Sequence, residues 1–510
     1  MRPSQYILVI DFGGQYAHLI TRRIRELGVY SELLAASSIA TSGLPDRDRI
    51  KGIILSGGPK SVWEADHDAI AKLAIESGVP VLGICYGHQL LGKVLGGQVG
   101  RSPRPEFGPT MVEVLSSSSI LRGFPKRIKV WMSHYDAVLE PPPGAKTLAR
   151  SGGSPVAAFD VGGTIFGVQW HPEVEHSELG LELLSNFIEF TGLARDWKPG
   201  NLIEDLVSYV REKVGDGTAI AAVSGGIDST VATVIASRAL GGRLKPVLID
   251  HGLHPSGEVE RVIKLLSGLG LNVVVLNEEE RFLDELRSVE DPEEKRSVIG
   301  RVYGEVLKEF AERVGAEFLV QGTIYPDVIE SGARPGADTI KTHHNVGGLP
   351  EDLGLELVEP LRYFYKDEVR ELARVLGIPR ELVVKQPVPG PGLAVRVEGE
   401  VTREKLRILR RVDEIVRDEV EAWGLSEKLW QYFAVLTRSR ATGVRGDSRS
   451  YGYVVAIRAV ESSDAMTARP ARLPWDLLEY IASRVTGEVP EVVRVVYDVT
   501  SKPPATIEWE

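Results

Sequence analysis

Cysteine is almost absent from this chain. Cys85 is the only one in 510 residues, so no intramolecular disulfide can form, and a reducing, cytoplasmic setting is expected. Long apolar runs are missing as well. None approaches the ~20 residues that a membrane-spanning helix needs, and the first apolar stretch, Tyr6–Ile10, is too short for a signal-peptide core. An excess of positive charge is also lacking: the formal net charge is −11, which disfavours a long nucleic acid as partner. There is no low-complexity tract, no internal repeat, and no G-x-x-x-x-G-K-[ST] loop of the usual kinase or ATPase kind.

What remains is globular in composition, 43% hydrophobic and 26% charged, at a length that suggests two to four domains. Strand-like runs alternate with amphipathic helices, the pattern of parallel α/β domains. Strands are expected at Tyr6–Ile10, Gly52–Leu55, Val79–Ile84 and Thr164–Gln169, with a helix around Leu179–Phe190. Thr191–Gly200 has no apolar periodicity and ends in Pro-Gly, so it reads as a linker, and Asn201 with Glu204 reads as a capping box. A second α/β set has strands at Ala219–Val223, Pro246–Asp250, Asn272–Leu276 and Glu317–Gln321. It ends at the Pro-Gly-rich turn Gln386–Gly392, which neither a helix nor a central strand can hold. The last region carries a long helix near Thr402–Trp423, strands at Tyr432–Leu436, Tyr453–Ala459 and Val492–Asp498, and a helix at Pro474–Val485. The expected fold is α/β: two successive, mostly parallel α/β domains over 1–192 and 200–390, then a small α+β domain over 391–510. A small sheet of that kind often buries its open face on a partner.

Cys85 stands in Val81-Leu82-Gly83-Ile84-Cys85-Tyr86-Gly87-His88-Gln89, at the corner between a buried strand and a helix. A helix N-terminus stabilises a thiolate. A lone cysteine is more often a small buried hydrophobe, but packing alone would not require glycines on both sides of it. A thiol nucleophile needs a base, and the base needs an orienting group. His171-Pro172-Glu173 follows an apolar strand: Pro172 keeps His171 extended, and Glu173 can accept the Nδ1 proton. His88, His134 and His176 remain rivals. For a developing oxyanion, Ser56-Gly57-Gly58-Pro59 offers the Gly58 N–H, and the Tyr86 N–H is the other natural donor.

These segments, with Asp11-Phe12-Gly13-Gly14-Gln15, resemble the class I glutamine amidotransferases over about the first 190 residues. The resemblance implies that Cys85, His171 and Glu173 hydrolyse glutamine through a thioester and release ammonia. Met132-Ser133-His134-Tyr135-Asp136 is similar to a further family segment, with Tyr135 in place of its usual glycine.

The strand Ala219–Val223 runs into Ser224-Gly225-Gly226-Ile227-Asp228-Ser229-Thr230 and then a helix. Glycines let backbone amides approach phosphate, hydroxyls add donors, and the helix N-terminus favours the anion. This run resembles the pyrophosphate loop of the N-type ATP pyrophosphatases, which cleave ATP to AMP and pyrophosphate while adenylating a substrate. Ser224, Gly225, Gly226, Ile227, Asp228, Ser229 and Thr230 are thus implied to hold ATP, and Asp228 to hold Mg²⁺ rather than phosphate, since two anions repel.

Farther on, Asp291–Arg296, Gln321–Ser331, Lys341–Asn345, Pro389–Leu393, Gly446-Asp447 and Thr500–Glu510 resemble the branch of that family whose acceptor is xanthosine monophosphate (XMP). The resemblance implies an enzyme using glutamine, ATP and XMP: ATP adenylates XMP, and ammonia displaces AMP to give GMP. It also implies XMP contacts at Arg296, Asp447, Lys502 and Glu508, and a homodimer through the C-terminal domain. A dianionic phosphate suits Arg296 and Lys502, while Asp447 and Glu508 can accept hydrogen bonds from base or ribose. The stretch from Thr323 to Gly354 lacks a regular period and reads as a lid. Gln386 and Val388 depart from the family's usual His and Phe.

Overall fold

In a computed structural model of the chain, residues 3–330, 354–383, 386, 389–462 and 467–510 are described. The chain divides into two compact units, with the division between Lys198 and Pro199. Most of the expected lid (331–353), the segment Lys341–Asn345 within it, and Val388 lie outside the described residues.

The first unit is built on one nine-stranded sheet. Its strands are β1 (Tyr6–Asp11), β2 (Ser31–Ala35), β3 (Ile50–Leu55), β4 (Val81–Ile84), β5 (Gln98–Val114), β6 (Arg127–Glu140), β7 (Lys146–Arg150), β8 (Ala158–Val161) and β9 (Ile165–Val168). The spatial order is β2-β1-β3-β4-β9-β8-β7-β5-β6. From β2 through β9 the pairing is parallel, and from β9 onward it is antiparallel. Every residue of β1 and β4 is buried, as strands covered on both faces require.

The antiparallel half has no counterpart in the expectation of a mostly parallel domain. β5 contains Pro103, Pro105 and Pro109, which argue against a strand when read in sequence. They are tolerated because β5 pairs β7 only at Glu113 and Val114, leaving most of that edge open. Its pairing with β6 also slips between Arg101 and Glu106, around the first two prolines.

The stretch read as a linker is anchored for most of its length. The helix Gly180–Thr191 ends on Gly192 in the left-handed conformation. Trp197 is buried, accepts no slack from its backbone (its N–H donates to Gly28 O at 2.9 Å), and packs its ring 4.6 Å from that of Tyr30. The capping box at Asn201 does not form. Asn201 lies inside a short 3₁₀ turn, Pro199–Leu202, and the helix Ile203–Val214 starts after Leu202 with no side-chain cap.

The second unit holds a five-stranded parallel sheet of β10 (Ala219–Ala222), β11 (Leu244–Asp250), β12 (Val274–Asn277), β13 (Phe318–Val320) and β14 (Glu356–Val358), ordered β12-β11-β10-β13-β14. It is followed by a second sheet of β15 (Gln431–Arg445), β16 (Ser448–Glu461), β17 (Arg469–Pro470) and β18 (Val492–Tyr497). β15 and β16 form a long hairpin, and β18 runs parallel to β16. The helices Arg403–Ala422 and Trp475–Glu488 put Leu406, Leu409, Val412, Leu477 and Ile481 into one apolar core with Ala434, Leu436, Val455 and Ile457. That core is continuous with Ile220, Val247 and Leu319 of the parallel sheet. On the sheet's other face, Trp509 packs on Phe433, Val435 and Ala456. Gln386, a departure from the family pattern, accepts the Tyr432 N–H through Oε1 at 2.9 Å and so ties the Pro-Gly turn to the start of β15.

Candidate active sites

In the first unit, β4 delivers Cys85 at a corner where the chain turns directly into the helix Tyr86–Val94. Cys85 adopts φ +52°, ψ −103°, a conformation that a side-chain-bearing residue holds only when its surroundings impose it. The flanking glycines explain how the corner fits. A Cβ on Gly83 would lie 2.4 Å from Gly87 O, and one on Gly87 would lie 2.2 Å from Leu55 O. The Cys85 N–H is held by Val168 O of β9 at 2.9 Å, and Sγ lies 3.5 Å from Ser133 O.

His171 emerges just beyond β9. Its Nδ1 meets Glu173 Oε1 at 2.7 Å, and Cys85 is near enough to raise the imidazole pKa. Burial alone would lower the imidazole pKa, but Glu173 and then Cys85 outweigh it and hold the group well above the ordinary histidine range. Arg23 Nε donates to the Glu173 main-chain carbonyl at 3.1 Å, Ser177 Oγ to that of His171 at 2.5 Å, and the Tyr16 ring lies edge-on to His171 at 5.1 Å.

The loop after β3 closes over the same place. A Cβ on Gly57 would meet His171 Cε1 at 3.1 Å and Cys85 Cβ at 3.7 Å, and one on Gly58 would meet the Tyr86 ring at 3.2 Å. Gly57 therefore lies against Cys85 and His171, and Gly58, the next residue, lies against Phe12 and the Tyr86 ring. The Tyr86 hydroxyl bonds His67 Nδ1 at 2.8 Å, and burial, with Asp68 nearby, pushes its pKa up to about 12.

The rival histidines are placed otherwise. His88 is wholly buried, stacked on Phe159, with Nε2 on Val156 O; burial pulls its pKa down to about 3. His134 pairs with the buried Glu106 at 3.1 Å, and His176 lies against Trp131. Tyr135 points outward, 57% exposed, against Phe107 and under Arg101. Its bulk is accommodated outside, while His134 stays buried and Gln89 Nε2 grips the Asp136 carbonyl at 2.6 Å.

In the second unit, β10 leads into Ser224–Thr230. Gly225 has φ +73° and passes so close to Val262 that a Cβ would sit 2.4 Å from its Cγ2. Gly226 caps the helix Ile227–Leu240. Ser229 Oγ lies 3.1 Å from Ser224 Oγ, and Thr230 Oγ1 donates to Gly226 O at 2.8 Å, so the hydroxyls brace the loop. Asp228 Oδ2 pairs with Lys366, and Asp228 Oδ1 is buried with no hydrogen-bond partner. An orphaned carboxylate oxygen at a helix N-terminus that can take phosphate fits a divalent cation. Among the described residues no group of three His, Cys, Asp or Glu could hold a metal without help, so phosphate oxygens would have to complete its shell.

Sequence reading missed Lys366. Its signal was present: a lysine in the first turn of the helix Lys366–Val375 opposes the usual dipole preference.

Three of the four residues implied for XMP gather around the C-terminal segment. Arg296 Nη1 pairs with Glu293, and Nη2 donates to Glu510 O. Glu508 receives both Arg396 Nε (3.1 Å) and Nη2 (3.0 Å), together with Gln431 Nε2. Lys502 pairs with Ala468 in an isolated bridge. The structure does not bring Asp447 to them. Glu508 touches Gln431 at one end of the β15–β16 hairpin, and Asp447 is at the tip beyond the Arg445–Ser448 pair. At ~3.3 Å per residue the 16 residues from Gln431 to Asp447 put the two on the order of 50 Å apart in one chain.

Residues 8–190 match the family model for class-I glutamine amidotransferase, and residues 418–509 match that for the GMP synthase C terminal domain. The sequence is 69% identical over 509 residues, 99% of each chain, to a protein of Aeropyrum pernix named GMP synthase (glutamine-hydrolyzing). Proteins of the same name from Thermomicrobium roseum (52% over 511 residues, 99% of this chain and 96% of that one) and Thermus thermophilus (50% over 506 residues, 99% and 100%) are also similar. No helix among the described residues is long and apolar enough to cross a membrane.

Proposed function

The chain belongs to the glutamine-hydrolysing GMP synthases, and we propose that its two units divide that reaction between a thiol site and a nucleotide site. It is a ligase that makes GMP with glutamine as the amide donor. The observation that carries the division of labour is the contact set of Cys85, His171 and Glu173, in a unit separate from the Ser224–Thr230 loop.

In the first unit the Cys85 sulfur, as thiolate, adds to the glutamine amide carbon, and the Gly58 and Tyr86 N–H groups receive the oxyanion. His171, held protonated by Glu173, gives its proton to the leaving nitrogen, and ammonia departs from a glutamyl thioester. His171 then takes a proton from water, whose oxygen displaces the thiolate as glutamate.

In the second unit, residues 224–230 hold the ATP β- and γ-phosphates by main-chain amides and hydroxyls. Mg²⁺, with Asp228 as its protein ligand, would neutralise charge on those phosphates. Lys366 fixes Asp228 and adds a positive charge beside the pyrophosphate. Arg296, Lys502 and Glu508 hold XMP. Its C2 oxygen attacks the α-phosphorus, pyrophosphate leaves, ammonia adds at C2, and AMP is expelled to leave GMP. Water must be kept out, since it would return XMP.

We further infer a cytoplasmic homodimer through residues 391–510. Val444, Tyr451, Val496 and Val499 are exposed there, and Asp447 can join an XMP site only from a second copy.

The test supplies XMP, ATP and glutamine labelled with ¹⁵N in the amide. GMP carrying ¹⁵N on its exocyclic nitrogen, with one AMP and one pyrophosphate per GMP, is the expected result. Absence of AMP formation with XMP would sink the acceptor assignment.

A further inference from the structure

The segment that follows β18 carries Lys502 and Glu508, yet it forms no helix or regular strand; among the described residues its one ladder contact is the bridge of Lys502 to Ala468. Its 500–507 part is fastened from inside by a buried arginine. Arg458, on β16, is 1% exposed. Its Nε donates to Ile507 O at 2.8 Å and Nη2 to Thr506 O at 2.6 Å; Nη1 donates to Thr500 O at 3.2 Å and pairs with Asp498. One guanidinium therefore fastens both ends of the 500–507 loop. Lys502 stands two residues inside the first fastening, and Glu508 one residue beyond the last.

The loop itself gives little reason to bury a charge. Ser501, Pro503, Pro504 and Thr506 are exposed, and the apolar cluster beneath is small: Val460, Ala468 and Ile507, with Trp430 alongside. A hydrophobic residue at 458 would serve such a cluster at least as well, since a buried ion pair seldom stabilises more than the apolar groups that could replace it. What an apolar side chain cannot do is address three carbonyls in different directions. Lysine cannot do it either, because its donors sit on a single atom, whereas arginine has five in a planar fork.

We propose that Arg458 is a positioning residue for the purine nucleotide. It touches no substrate; it fixes the separation and facing of Lys502 and Glu508, as Arg396 fixes the Glu508 carboxylate. The inference rests on the assignment of Lys502 and Glu508 to XMP, and its test is built to separate the two.

Full-length Arg458→Lys, Asp498→Asn and Lys502→Ala are assayed with ammonium chloride as nitrogen source, first varying XMP at saturating ATP, then the reverse, with thermal melts alongside. For Arg458→Lys the KM for XMP should rise about tenfold or more, as small misplacements of binding groups do. Its kcat at saturating XMP and its KM for ATP should stay within about threefold of the parent. A loss that spreads equally over kcat and both KM values, in step with a lowered melting temperature, would mean a merely structural residue and would overturn the proposal. If Lys502→Ala raises the KM for XMP and Arg458→Lys does not, positioning by Arg458 is wrong while the XMP site stands. If Lys502→Ala leaves that KM unchanged, the XMP assignment itself has failed. Should Arg458→Lys not fold, Asp498→Asn decides: it removes the charge that aims Nη1 at the Thr500 end of the loop, so the fastening beside Lys502 loosens. A rise in the KM for XMP without a change in that for ATP supports positioning, and no rise overturns it.

Discussion

Glu173 Oε1 lies 2.7 Å from His171 Nδ1, and both groups are buried. The second Glu173 oxygen is buried without a partner, so the carboxylate's charge is directed at the imidazole rather than shared among donors. Charge, not hydrogen-bond geometry alone, is what this pair supplies to the thiol site.

Glu173→Gln separates the two contributions, because the amide still has an oxygen to accept the Nδ1 proton but carries no charge. With the main raising influence gone, burial dominates and the His171 pKa falls. The protonated imidazole needed by the leaving nitrogen is then lost at lower pH, so the alkaline limb of the glutaminase pH profile should move toward acid. The rate at neutral pH should drop on the order of 10²-fold. An unmoved alkaline limb would mean that another group sets it.

Asp228→Asn tests the nucleotide loop. It removes the charge opposite Lys366 and the buried orphan oxygen. XMP-dependent AMP formation with ammonium as nitrogen donor should fall at least on the order of 10²-fold, the scale of a lost electrostatic stabiliser. A Mg²⁺ titration should show a higher half-saturating concentration. Unchanged Mg²⁺ dependence would remove Asp228 from the cation site.

Gly87→Ala tests whether the corner at Cys85 depends on the close approach of two backbones. The added Cβ would sit 2.2 Å from Leu55 O, with no flexible side chain to give way. Overpacking of this kind costs about 1–3 kcal/mol, read as a lower denaturation midpoint. Glutamine hydrolysis should fall much further than ammonia-driven GMP formation, because the distortion falls on Cys85 and on the neighbouring Ser56–Gly58 loop.

These sites were legible in the sequence because each is a strand-to-helix corner, and such corners write their backbone constraints as adjacent glycines and hydroxyls. Cys85 between Gly83 and Gly87, and Ser224–Thr230, are of this kind. The buried strands β1, β3 and β4 were legible as short apolar runs. The β5–β6 hairpin was not, since the three prolines that an open edge tolerates are indistinguishable in sequence from strand breakers. Lys366 was missed because its partner Asp228 is 138 residues away. Asp447 was grouped with Glu508 by resemblance, and only the length of the β15–β16 hairpin separates them. Asn201 carried a good capping pattern that a 3₁₀ turn overrode.

The most direct measurement is Cys85→Ala assayed with each nitrogen source in turn, at saturating ATP and XMP. If Cys85 exists to supply ammonia to a separate nucleotide site, the variant makes no GMP from glutamine and makes it from ammonium at close to the parent rate. GMP formation from glutamine by the variant, or loss of the ammonium-driven reaction in a variant that is otherwise folded, would contradict that division.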